Sequence, residues 1–143
     1  MVSRIFELTI ATCTMFAYDP SIPPEPEAWL ELDELERIRL VEAFHRKLRG
    51  RPPNLKAHAV FHAIVENQLA EGVESVVRAM SRLNGEGLSR HDALHAIGSA
   101  LAAHLNDLAA ARPDEPPGVA HARYEALVDR LSAAEWRRLG GKK

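Results

Sequence analysis

The segment HAVFHAIVENQ, residues 58–68, decides the fold class and also carries the candidate functional residues. A related segment, HDALHAIGSA, follows at residues 91–100, and in each segment two histidines lie four residues apart, the second followed by Ala-Ile. Side chains four residues apart lie on the same face of an α-helix. Apolar residues extend the histidine face in both segments. We therefore predict two helices that direct paired histidines toward their neighbours.

Turn and capping signals divide the rest of the chain into further helices. Four prolines in YDPSIPPEPEAW (18–29) prevent a regular helix before about residue 27, where Trp29 heads a short helical turn that we expect to pack on the core. In LDELE (32–36), Asp33 is a cap and Glu36, three residues later, completes a capping box. Apolar spacing and Gly/Pro stops predict helices at residues 33–48, 55–71, 73–84, 89–110 and around 124–131, with a last helical turn after Ser132.

No segment shows the apolar alternation and hairpin turns that are typical of strands. The sequence therefore predicts an all-α protein: a compact helical bundle or a short helical-hairpin, solenoid-like array of five to six helices. An offset of 33 residues is the size of a helical-hairpin repeat, in which the two histidine-bearing helices would run roughly parallel. Two copies do not decide between the array and the bundle, and both remain open.

Composition limits the classes of function. The chain has 143 residues, of which 46% are hydrophobic and 27% charged, with a net charge of -2, as is typical of a folded globular protein. Acidic residues interleave with the arginines of residues 37–51, which indicates a solvated helix face, so nucleic-acid binding is not expected. No apolar run reaches the length of a membrane span. The single cysteine, Cys13, cannot form an internal disulfide, which fits a cytoplasmic protein.

The N-terminus differs from the remainder of the chain. We expect residues 1–17 to form an N-terminal arm that is strand-like or poorly ordered, and residues 18–143 to form a single helical domain. The segment MFAYDP (15–20) raises the hypothesis that Met15 is the true start of the protein.

The paired histidines and one glutamate form a candidate metal site. Its predicted members are His58, His62, Glu66, His91 and His95. The four imidazoles would suit zinc, which binds four ligands in tetrahedral geometry. Alternatively, His62 and Glu66 could face His91 and His95, giving a mixed nitrogen and oxygen site for zinc, iron or manganese.

Two other interpretations compete with this site. Buried histidines more often form a hydrogen-bonded polar cluster, for which Glu66 and Asp92 are natural partners. A two-metal carboxylate bundle is the other alternative, because EAFH (42–45) and DALH (92–95) both have an acid three residues before a histidine. That arrangement would need further carboxylates from Glu66 and from Glu125 or Asp129.

Several short segments of the sequence together resemble an uncharacterised bacterial family of small all-helical proteins, a domain of unknown function. The resemblance covers residues 18–108 and rests on YDP, Trp29, LDELER, VEAFH, HAVFH and GLSRHDALHAIGSALAAHL, with VENQ and RHDALHAIGS its most specific words. It implies an all-helical, cytoplasmic protein and implies no particular activity.

These observations favour a binding or interaction module whose His/Glu-rich polar seam can hold one divalent metal ion, zinc or iron. The partner would be a protein or a small molecule, and a homodimer remains open. The alternative is a metal-dependent enzyme of hydrolase or oxidoreductase type that uses the same seam, with Glu66 as ligand or general base.

Overall fold

The computed structural model describes residues 17–110 and 112–141, which form helices and no strand. The helices are α1 (Pro26–Glu31), α2 (Glu34–Arg46), α3 (Leu55–Ala70), α4 (Glu74–Gly85), α5 (Arg90–Ala109), α6 (Val119–Asp129) and α7 (Ala133–Arg138). The all-α prediction is confirmed, with seven helices in this part of the chain rather than five to six. The difference arises because the expected turns at Trp29 and after Ser132 are each long enough to form a six-residue helix. The predicted arm lies outside the described residues except for Ala17.

Side-chain caps fix where the main helices begin. The Asp33 carboxylate accepts a hydrogen bond from the Glu36 backbone N–H, and the Glu36 carboxylate accepts one from the Asp33 N–H, so the predicted capping box is present. Ser89 accepts from the Asp92 backbone N–H at the start of α5. These caps orient the first turn of α2 and α5, the two helices that present histidines to α3.

Helices α2 and α3 form an antiparallel hairpin. At one end Asn67 donates to Glu34 over 3.2 Å, and at the other the rings of His45 and His58 lie 4.5 Å apart. The side-chain oxygen of Asn67 also accepts from the indole N–H of Trp29 over 2.9 Å. Trp29 is fully buried, as the sequence predicted, and the polar segment VENQ (65–68) supplies its hydrogen-bond partner.

Helices α3 and α5 pack in antiparallel sense, so the parallel arrangement that a helical-hairpin repeat would give is not formed. His58, early in α3, contacts His95, whereas Glu66, eight residues later, pairs with Arg90 at the start of α5. A helical-hairpin repeat needs the intervening helix to fold back along both neighbours. Helix α4 instead turns away after Gly72 (φ 73°) and packs chiefly on α5 and α6.

Helix α3 separates two apolar clusters of the core. The larger cluster joins α4, α5 and α6 and includes Val65, Val76, Leu83, Leu94, Ile97, Tyr124 and Val128. The smaller cluster joins α1, α2 and α3 and consists of Tyr18, Trp29, Val41, Ala59 and Ala63. The remaining face of α3 carries its polar residues into the junction of α2, α3 and α5. None of the described helices has the length and apolar character needed to cross a membrane.

Candidate metal centre

Five histidines from three helices converge at the junction of α2, α3 and α5. Helix α2 contributes His45, α3 contributes His58 and His62, and α5 contributes His91 and His95. One ring nitrogen from each of four of them, His45, His62, His91 and His95, lies within 4.8 Å of the others. We call His45, His58, His62, His91 and His95 together the histidine cluster. Three of the five predicted site residues thus meet at one point, together with a histidine that was not in the predicted set.

His45 is the member that sequence reasoning assigned to a different pattern. It is buried (2% exposed), and its Nδ1 lies 2.9 Å from the carbonyl oxygen of Val41. A carbonyl only accepts, so Nδ1 carries the proton and Nε2 carries the lone pair. That Nε2 lies 3.2 Å from Nε2 of His91. The signal was present in the spacing, since His45 continues the buried face of α2 that begins with Ile38 and Val41.

His62 is held by the Tyr18 hydroxyl. Its Nδ1 lies 3.0 Å from the Tyr18 oxygen, and the same hydroxyl donates to Glu66 over 2.6 Å. The hydroxyl has one proton, which goes to the carboxylate, so the Tyr18 oxygen accepts from Nδ1–H of His62. The lone pair is therefore on Nε2, which is buried and has no hydrogen-bond partner among the described residues. A buried nitrogen without a protein partner can be satisfied by a bound ion or by an ordered water molecule.

Glu66, the predicted carboxylate ligand, is committed to other groups. Both of its oxygens accept from Arg90, over 2.7 and 2.9 Å, and one also accepts from Tyr18. The Glu66 side chain is 1% exposed and that of Arg90 is 12% exposed, so this is a buried ion pair. Burial, followed by the negative charge of Glu66, raises the pKa of Tyr18, which keeps the phenol protonated as a donor. Glu66 thus acts on the histidine cluster through Tyr18.

His58 lies at the edge of the cluster, between two cavities. Its Nε2 is 3.2 Å from Nε2 of His95. One cavity, of about 500 Å³, is lined by His45, His58, His91 and His95 together with the loop between α2 and α3. The other, of about 240 Å³, is lined by His58, His62, His95, Gly98 and Trp136, among others. The cluster can therefore be reached by small molecules from the side of the α2–α3 loop.

Burial keeps the imidazoles of His45, His58 and His62 neutral. It lowers the pKa of His62 well below the usual range, with further lowering by the surrounding histidines. Burial, together with the charges of His45 and His91, lowers the pKa of His58 to about 4. The pKa of His45 is also lowered, again because burial disfavours the charged ring. A neutral imidazole has a lone pair for a metal ion, whereas an imidazolium has none.

The two-metal carboxylate arrangement is not formed. Asp129 pairs with Arg78, and Glu125 lies 3.2 Å from the exposed His121. Asp92 lines the 500 Å³ cavity outside the four converging nitrogens. Within the described residues, the group of side chains that could hold a metal ion therefore offers only nitrogen ligands.

Comparisons of the chain with models of protein families, with characterised proteins and with solved structures find no match. The resemblance to an uncharacterised family stays a prediction. The chemistry of the histidine cluster itself is therefore the basis for a proposed function.

The lowered pKa values predict that the metal-free protein loses stability in mild acid. The unfolded chain binds more protons than the folded chain below about pH 6.5, so the free energy of unfolding falls as the pH drops from 7 toward 5. Each histidine that titrates only on unfolding contributes up to about 1.4 kcal/mol per pH unit. Urea denaturation at several pH values in the presence of a chelator measures this slope. The variant His58→Gln should flatten it, whereas His121→Gln at an exposed position should not, and a flat wild-type profile would contradict the prediction.

The buried ion pair predicts a large difference between two arginine substitutions. Arg90→Ala leaves the Glu66 carboxylate buried without its cation and should lower the free energy of unfolding by about 3–5 kcal/mol. Arg78→Ala removes an exposed pair with Asp129 and should cost less than about 1 kcal/mol. Urea denaturation at pH 7 with chelator compares the two variants. Equal losses would mean that Glu66 does not depend on Arg90.

Proposed function

We propose that this protein binds one divalent transition-metal ion, zinc or iron, through His45, His62, His91 and His95. The observation that carries the proposal is the convergence of four ring nitrogens, each from a different side chain, within 4.8 Å. The buried Nε2 of His62, which has no partner in the described part of the chain, supports it independently. Zinc and iron both accept imidazole ligands, whereas magnesium and calcium prefer oxygen.

The spacing of the nitrogens fits such an ion after a small contraction. With metal–nitrogen bonds of about 2.1 Å, two nitrogens on one ion are at most about 4.2 Å apart, and about 3.4 Å apart in a tetrahedron. The His45 and His91 nitrogens, at 3.2 Å, already match the tetrahedral edge. The widest separation, up to 4.8 Å, has to shorten by about 1.4 Å to reach that edge, which requires the imidazole rings to rotate toward the ion.

Hydrogen bonds on the outer nitrogens support the assignment. His45 donates its Nδ1–H to the carbonyl of Val41, and His62 donates its own to Tyr18, which is backed by Glu66. Metal-binding histidines characteristically donate their second ring N–H to a carbonyl or to a carboxylate, which fixes the ring and its tautomer. In both residues the nitrogen that remains is the one directed into the cluster.

The preferred function is that of a binding module built around this ion. Four imidazoles can fill the coordination of a tetrahedral ion, and closed coordination is typical of structural and ligand-organising sites. The ion would tie α2, α3 and α5 together at a place where the core is otherwise polar. Its partner would be a protein or a small molecule that contacts the 500 Å³ cavity.

A metal-dependent enzyme of hydrolase or oxidoreductase type is the second candidate. The observation that favours it is the cavity itself, which is lined by three of the four proposed ligands. A metal ion that takes five or six ligands would keep one or two positions open toward that cavity, because the proposed site supplies only four histidines. His58 would then be the group placed for proton transfer, because Glu66 is held by Arg90.

The metal site predicts that untagged protein binds one equivalent of zinc or ferrous iron. His45→Ala and His62→Ala should each weaken binding by more than about 100-fold, since even a loss of an orienting contact costs 10–100-fold. The matched control is His121→Ala, an exposed histidine outside the cluster that should bind normally. Elemental analysis and calorimetric titration with each metal provide the measurement. Absence of stoichiometric metal, or equal binding by all three variants, would remove the proposal.

The tyrosine contact predicts a smaller and specific effect. Tyr18→Phe removes the acceptor for Nδ1–H of His62 and should weaken metal binding by about 10–100-fold. Tyr124→Phe is the matched control, because this buried tyrosine donates to Gln68 instead of the cluster. Both variants lose one buried hydroxyl, so calorimetric titration of zinc separates a role at the metal from a loss of stability. Identical affinities would show that Tyr18 does not position the ligand.

A further inference from the structure

The 500 Å³ cavity beside the histidine cluster has a cationic wall. Arg49 and Arg51 line it from the loop between α2 and α3, opposite Ser89 and Asp92 from the start of α5. Apolar residues of the same loop complete the wall, namely Leu48, Pro52 and Pro53. A space of this size accommodates a small molecule and is too small for a folded partner.

The two arginines are available to a ligand. Over residues 17–110 and 112–141, neither guanidinium forms an ion pair or a hydrogen bond with another side chain, although seven other arginines in the same ranges do. Arginine presents several N–H donors in a planar fork that matches carboxylate and phosphate groups. The Ser89 hydroxyl, which accepts from the Asp92 backbone N–H, still has its own proton to donate.

The charges at this site do not balance once a metal ion is bound. The four imidazoles are neutral ligands, so a divalent ion keeps both of its positive charges, and Glu66 is already neutralised by Arg90. Asp92 is the acidic residue that lines the cavity, against Arg49 and Arg51. A net three positive charges therefore face the cavity, and a cleft lined by one sign of charge attracts ions of the opposite sign.

We infer that this cavity binds a small anion with a carboxylate or phosphate group, held by Arg49 and Arg51 beside the metal ion. The inference rests on the proposed metal site and gives the binding module its ligand class. Ser89 adds a hydrogen bond, and Asp92 limits the preference to anions that the arginines can hold away from its carboxylate. The ion attracts the anion, and the two guanidinium groups orient it.

The test uses the full chain loaded with one equivalent of zinc, after zinc stoichiometry has been measured. Inorganic phosphate and malonate are titrated separately into wild-type protein, into the double variant Arg49→Gln/Arg51→Gln, and into the control Arg39→Gln/Arg130→Gln. The control removes the same charge from exposed positions outside the cavity. All four arginines are exposed, so circular dichroism should show intact helices in both variants.

The expected result is one phosphate or malonate per protein, with affinity at least tenfold weaker in the cavity variant and changed less than twofold in the control. The anion that binds more tightly identifies phosphate or carboxylate as the preferred group. Zinc-loaded protein that binds neither anion, or binds equally well in both variants, would overturn this inference while leaving the metal site intact. Failure to bind zinc would instead remove the proposed function and the inference with it.

Discussion

The contact on which the site depends is the buried ion pair between Glu66 and Arg90. It joins the C-terminal half of α3 to the first turn of α5, and thereby sets the antiparallel register that places His62 and His58 opposite His91 and His95. Arg90 also donates to the carbonyl of Pro20, which draws the proline-rich segment over the pair. Tyr18 is consequently positioned to bridge Glu66 and His62. One ion pair thus connects the fold of three segments to the orientation of a proposed ligand.

The buried polar side chains at the junction of α2, α3 and α5 make the fold less stable than an apolar core would. Five imidazoles and an ion pair occupy the junction of α2, α3 and α5, which aliphatic residues extending the two apolar clusters could have filled. Buried polar groups of this kind are retained where geometry and function require them, because local sequence and packing preferences would otherwise favour an apolar core. In this junction Glu66 is paired with Arg90, and His45 and His62 each donate one ring N–H away from the cluster.

Local signals predicted most of the helices, and long-range packing explains where prediction failed. Capping residues such as Asp33 and Ser89 act within one turn, so the sequence reveals them directly. The inward face of α2 was harder to assign, because His45 also fits an acid-x-x-His pattern and only the contact with α3 distinguishes the two. Glu66 had the chemistry of a ligand, but its pairing with Arg90 depends on the antiparallel crossing, which a 33-residue period does not specify.

The hydrogen bonds of His45 and His62 favour the proposed metal site over a cluster held by hydrogen bonds alone. A neutral imidazole has one N–H and one lone pair, and both His45 and His62 direct their N–H outward. A donor from His91 can satisfy the lone pair of His45 at 3.2 Å. The lone pair on Nε2 of His62 has no such donor within the described chain, and the residue is only 3% exposed to bulk water. A bound cation would satisfy this lone pair and the neighbouring nitrogens together, whereas hydrogen bonds among the described residues leave His62 with an unmet acceptor.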